Sequence, residues 1–118
     1  MAELKVVDNQ LELRLSKKEK LESMHGNLTA LILDVSSVEI LENAHEAADI
    51  VGFKVGTRIP GVVEVATVHG SKKKIFAAVH RDTPRGIRVC LTGGDFDEWI
   101  VGCQDPEEVI SSLNLHER

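Results

Sequence analysis

Apolar residues recur along this chain mostly at every second position, in short runs bounded by turn-forming residues. Leu11, Leu13 and Leu15 alternate with Glu12 and Arg14, the signature of a half-buried strand. With Leu4 to Val7 across the polar turn Asp8-Asn9-Gln10, they predict an opening hairpin. At Ser16 the period changes. Ser16-Lys17-Lys18-Glu19 fits a capping box, Leu21 and Met24 supply one apolar edge, and Gly26 offers a left-handed stop. A helix of about two turns, held by packing, is expected there. Leu28 to Leu33 and Ser37 to Leu41 predict strands joined at Asp34-Val35-Ser36-Ser37, and Asn43 to Asp49 reads as a helical turn or a loop.

The stretch from Gly52 to His80 holds the densest turn chemistry. Gly52, Gly56, Pro60 and Gly61 predict an irregular loop lying close against something. Val62 to Val68 is a strand, Gly70-Ser71 with three lysines reverses the chain, and Ile75 to Val79 returns. Thr83-Pro84-Arg85-Gly86 turns into Ile87 to Leu91, and Thr92-Gly93-Gly94-Asp95 turns into Phe96 to Val101. Asp105-Pro106-Glu107-Glu108 opens a final helix, with an N-cap, a proline at the first helical position and two acids over its positive end. Val109, Ile110, Leu113 and Leu115 form its apolar stripe. The expectation is a single, mainly β domain over residues 1–118. It has about seven short strands as an antiparallel barrel or sandwich, a short helix after strand 2 and a capping C-terminal helix.

Composition sharpens this in two respects. Aromatics make up 3% of the 118 residues, so the core is Val, Ile, Leu and Ala, and base-stacking nucleic-acid modules are disfavoured. The net charge of −5 also disfavours nucleic acid as a partner. That charge is unevenly placed. Lys72, Lys73, Lys74, Arg81, Arg85 and Arg88 against Asp82 leave residues 72–88 at +5, while seven acids against Arg118 leave residues 95–118 at −6. A dipolar surface follows if the two segments do not fold onto each other. With no apolar leader or transmembrane run, the chain reads as cytoplasmic, which keeps Cys90 and Cys103 reduced.

The order of elements resembles the pleckstrin-homology-like (PH-like) barrel. The chain is also similar to a family of small bacterial proteins of the actinobacterial type. The residues carrying that likeness are Leu11 to Ser16, Glu19-Lys20-Leu21, Val35 to Val38, Gly56 to Val62, Phe76 to His80, and Phe96-Asp97 with Asp105-Pro106-Glu107. The resemblance implies a fold and no activity. Phosphoinositide-binding PH domains carry basic residues around the first hairpin loop, and here that loop is Asp8-Asn9-Gln10.

Candidate chemistry is sparse. Gly56 to Gly61 has the outer spacing of a phosphate-binding loop, but Val62-Val63 stand where its Lys-Ser/Thr would be. What remains is Arg58, near Lys54, as a contact for an anion or a partner. The basic strip of Lys72, Lys73, Lys74, Arg81, Arg85 and Arg88 is a second such candidate, against edge-strand protection as the plainer account. Five scattered histidines and two cysteines show no metal-ligand spacing, and Asp95, Asp97 and Glu98 crowd one turn without a catalytic partner set. The sequence therefore predicts a binding module and no enzyme, cofactor or metal. Protein association or homo-oligomerisation through a sheet edge is the leading reading. The alternative is an anionic ligand or lipid surface at Lys54, Arg58 and the basic strip.

Overall fold

The leucine alternation of the N-terminal run folds as a hairpin. In the computed structural model, which describes residues 3–23, 25–48, 53–59, 63–70, 73–81 and 83–117, β1 (Glu3–Val7) pairs antiparallel with β2 (Gln10–Arg14). Asp8 makes the reversal at φ 55°, a left-handed conformation that a short polar side chain tolerates. β3 (Leu28–Leu31) completes a three-stranded sheet in the order β1-β2-β3. Leu11, Leu13 and Leu28 point inward and are buried, while Gln10, Glu12 and Arg14 face outward.

The chain leaves this sheet through one 3-10 turn, Ile32–Asp34, and enters the second. That sheet contains β4 (Val35–Leu41), β5 (Phe53–Ile59), β6 (Val63–His69), β7 (Lys74–His80), β8 (Gly86–Leu91) and β9 (Glu98–Gly102), in the order β4-β8-β9-β7-β6-β5. β9 enters between β7 and β8, parallel to the first and antiparallel to the second. The described residues thus hold nine strands rather than about seven, in two unclosed sheets with one parallel pair. Turn spacing predicts neighbours in sequence, and an inserted strand breaks that rule.

One face of the large sheet and the small sheet share a core. Leu11, Leu13, Leu15 and Leu28 meet Phe76, Ala78, Ile87, Val89, Trp99 and Val101, with Leu113 of α3 (Pro106–Glu117) closing the end. The Asp105 side chain caps that helix, accepting the Glu108 N–H at 3.2 Å. The side chain of Leu115 lies outside the described residues. On the opposite face, Ala44 and Ala48 of α2 (Ala44–Ala48) cover Val68, Ile75, Ala77, Val79 and Ile100. Asn43 caps α2 through its side-chain oxygen, 3.1 Å from the Glu46 amide, so the helical alternative holds there.

Three local expectations change. α1 (Lys17–Ser23) buries Glu19 and Ser23 and leaves Leu21 81% exposed, so its inward edge is the polar one. Met24, the other half of the expected apolar edge, lies outside the described residues. Gly26 is not left-handed; the helix ends where the His25 amide reaches Lys20 O at 3.2 Å and Ser23 Oγ at 3.2 Å. The glycine-rich stretch is a strand rather than a loop across Phe53–Ile59, paired residue for residue with β6. Gly56 sits within it at φ 138°, against the backbone of Val65 and Ala66. Gly52, Pro60 and Gly61 lie outside the described residues.

Candidate functional site

The sheet register decides where the candidate cations go. On the α2 face, Arg58 stands opposite Glu64, and Lys54 is four pairs further along, opposite Val68. Glu64 is 4% exposed, and its Oε1 lies 2.9 Å from both Lys54 Nζ and Arg58 Nε. A carboxylate held that far from water needs a cation, and two converge on it. Lys54 and Arg58 are therefore drawn inward to an internal partner rather than presented as an open anion cradle. Because both share one oxygen, truncating either alone to alanine is expected to cost about 1 kcal/mol, while the double variant leaves a buried carboxylate uncompensated and loses about 3 kcal/mol or more. Urea unfolding of the cycle measures this, and simple additivity would show that the two heads act separately.

The basic strip does not form as one surface. Lys73 and Lys74 lie at the start of β7, while Arg81 and Arg85 lie beyond its end and before β8. Seven strand residues put roughly 20 Å between the two groups. The acidic C-terminal segment folds onto this basic one, so the dipolar surface is replaced by local neutralisation. Glu98, 5% exposed, takes Arg88 Nε at 2.6 Å and Lys73 Nζ at 3.3 Å. Arg88 also pairs with Glu39 across the β4–β8 ladder. Arg85 bridges Glu107 at 2.6 Å and Glu42 at 3.2 Å, and its hydrogen bond holds the Glu107 carboxyl below the usual range. Lys74 Nζ lies 4.8 Å over the Phe96 ring, and its amide donates to the Asp97 carboxylate at 2.8 Å. Lys72 and Asp82 lie outside the described residues.

The capping box at Ser16 does more than start a helix. The Ser16 amide donates to Glu19 Oε1 at 3.0 Å, and the Glu19 amide donates to Ser16 Oγ at 3.2 Å. The second carboxylate oxygen of Glu19, which is 0% exposed, accepts from His80 Nε2 at 2.8 Å. Burial pushes this carboxyl up, but the bonds from His80 and from the amide and hydroxyl of Ser16 outweigh it and hold it at about 2. Thr57 adds a second tie to the sheet, donating to Glu22 O at 3.0 Å. α1 is thereby fastened to β5 and β7 by polar groups. Sequence reading found the cap but missed the partner, because His80 lies 61 residues away.

Cys90 stands opposite Glu98, and both cysteines are free. Burial pushes the Cys103 thiol up to about 11, which leaves it protonated and unreactive near neutral pH. Cys103 lines a cavity of about 280 Å³ between β1 and α3, with Leu4, Val6, Leu11 and Val109. A smaller cavity of about 140 Å³ lies between β3 and the turn that leads into β9. Among the described residues no cluster of His, Cys, Asp and Glu is arranged to hold a metal ion, and no helix is long and apolar enough to cross a membrane.

These features describe a mainly β protein with a C-terminal helix, in which Lys54, Arg58, Lys73, Arg85 and Arg88 each meet a carboxylate. No family model matches the chain, and neither the curated proteins nor the solved structures contain a match.

Proposed function

We propose that the protein is a non-catalytic association module that pairs with a second copy of itself along the outer edge of β5. The observation that carries this reading is the state of that edge. β5 is one of the two outermost strands of the large sheet, and its seven residues pair with β6 without a register shift. The other outermost strand, β4, is bent by an irregularity between Val35 and Ser37, where Ser36 Oγ reaches Cys90 O. Bulges and outward lysines are the usual guards of a sheet edge. β4 has the bulge; β5 has none, and Lys54 is turned toward Glu64.

An edge strand meeting its own copy antiparallel across a two-fold axis gives each backbone group a partner without a side-chain motif. That accounts for a well-specified fold without a catalytic set. The support for a relation to PH-like domains is that a C-terminal helix closes the core shared by two mainly antiparallel sheets. Two free thiols agree with a reducing cytoplasmic setting. The anionic-ligand alternative gains no support from Lys54 and Arg58, whose heads meet Glu64.

Sedimentation across a hundredfold range of concentration, read together with amide exchange in β5, tests the reading. Dimer formation is expected to come with slowed exchange at alternate β5 amides, those pointing away from β6. A strict monomer up to millimolar concentration, or a dimer in which β5 exchange is unchanged, refutes it.

A further inference from the structure

The larger cavity, between β1 and α3, has a chemistry that the association reading does not use. Its floor is apolar. Leu11 is buried, Leu4, Val6 and Val109 pack on the core yet keep part of their surface, and all four line the cavity. Glu3, Asp105 and Glu108 line it too, and all three are exposed, so their carboxylates are within reach of an incoming molecule. Among the described residues that line the cavity, none is basic. The nearby cations already have partners: Arg85 meets Glu107 at 2.6 Å, and Lys5 meets Glu3 at 3.4 Å. That second pair is exposed on both sides, so it contributes little and yields to a better-placed ammonium. Cys103, on the cavity wall, registers the sign of the field. Burial raises its thiol most, Arg85 opposes this, and Asp105 and Glu107 raise it further.

We infer that this cavity binds a small organic ammonium, a primary amine carried on an apolar body of one ring or a short alkyl chain. Size sets the first limit. The cavity, at about 280 Å³, exceeds the roughly 150 Å³ that takes up benzene and falls just short of the roughly 300–1,000 Å³ of drug-sized sites. One ring with a short arm fits. Charge sets the second limit, since three carboxylates without a lining cation repel an anion and attract a cation. The floor sets the third: Leu4, Val6, Leu11 and Val109 reward an apolar body that a bare ammonium lacks. Asp105 Oδ1 is engaged by the Glu108 amide at 3.2 Å, so Glu3 and Glu108 supply the more adaptable charges.

Amide spectra of the full chain, titrated with 2-phenylethylamine, 2-phenylethanol, 3-phenylpropionate and methylammonium, test charge and body separately. The amine is expected to give saturable shifts in β1 and the first turn of α3, with about tenfold higher affinity than the alcohol. The carboxylate, which has the wrong charge, and methylammonium, which has no body, are expected to give no saturable shift. The double variant Glu3→Gln, Glu108→Gln changes two exposed side chains and leaves the Asp105 cap in place. It is expected to bring the amine down to the affinity of the alcohol. At about 1 M salt the amine is expected to weaken several-fold and the alcohol to hold. An amine that gives no saturable shift at millimolar concentration, or binds no better than the alcohol, overturns the inference. So does an unchanged affinity in the double variant, or shifts that lie away from β1 and α3. None of these outcomes bears on dimer formation at β5, an edge of the other sheet.

Discussion

Gly56→Ala is expected to cost about 3–5 kcal/mol, a large part of the stability of a domain this size. A Cβ at this position would lie 2.4 Å from Val65 O and 2.7 Å from Ala66 Cα, both backbone atoms that cannot swing aside. The φ of 138° adds strain that any L side chain would feel whatever the space. Gly26→Ala is the control: nothing lies within 4 Å of its new methyl, and a change of no more than about 0.5 kcal/mol is expected. Urea midpoints at constant m separate the two. Equal midpoints for both variants would mean that β5 yields to the added carbon, and that the glycine is there for sequence reasons alone.

The second large effect is on acid stability. Folding lowers the Glu19 carboxyl from 4.5 to about 2, so the unfolded chain takes up its proton more readily than the native one. The resulting stabilisation is complete above about pH 4.5 and declines as pH falls from there toward 2. The gap between the two values corresponds to roughly 3 kcal/mol. Glu19→Gln is expected to be less stable than the parent by about that amount at pH 7, with the difference shrinking by about 2 kcal/mol on going to pH 2.5. Other carboxylates titrate alike in both proteins and cancel. A difference independent of pH would show that the loss is one of shape or hydrogen bonding and not of charge.

Much of the architecture could be read from the sequence, and the failures share a cause. Period-2 runs located β2, β6, β7 and β8 closely, and capping chemistry located α1 and α3, because these signals lie within a few residues of each other. What crosses the fold was hidden. A glycine–proline cluster reads as a loop unless one knows that β6 backbone presses against Gly56 from the next strand. Arg58 and Arg88 look available until Glu64 and Glu98 are placed opposite them. Glu64, set among valines on a strand, was the available clue, since a carboxylate in a run buried on both faces must find cations. Leu21 shows the opposite error: an apolar residue at helical spacing is exposed because the buried edge of α1 is occupied by Glu19 and Ser23.

The insertion of β9 between β7 and β8 has a consequence for how the chain reaches this state. The strand that fills the middle of the large sheet is the last one in sequence. Until Glu98–Gly102 has left the ribosome, β7 and β8 flank an empty slot, each with an edge of unpaired backbone groups facing the other. The sheet is locked by a late-arriving central strand, much as a keystone closes an arch. During that interval a matching strand from a neighbouring chain can occupy the slot and exchange one copy's β9 for another's.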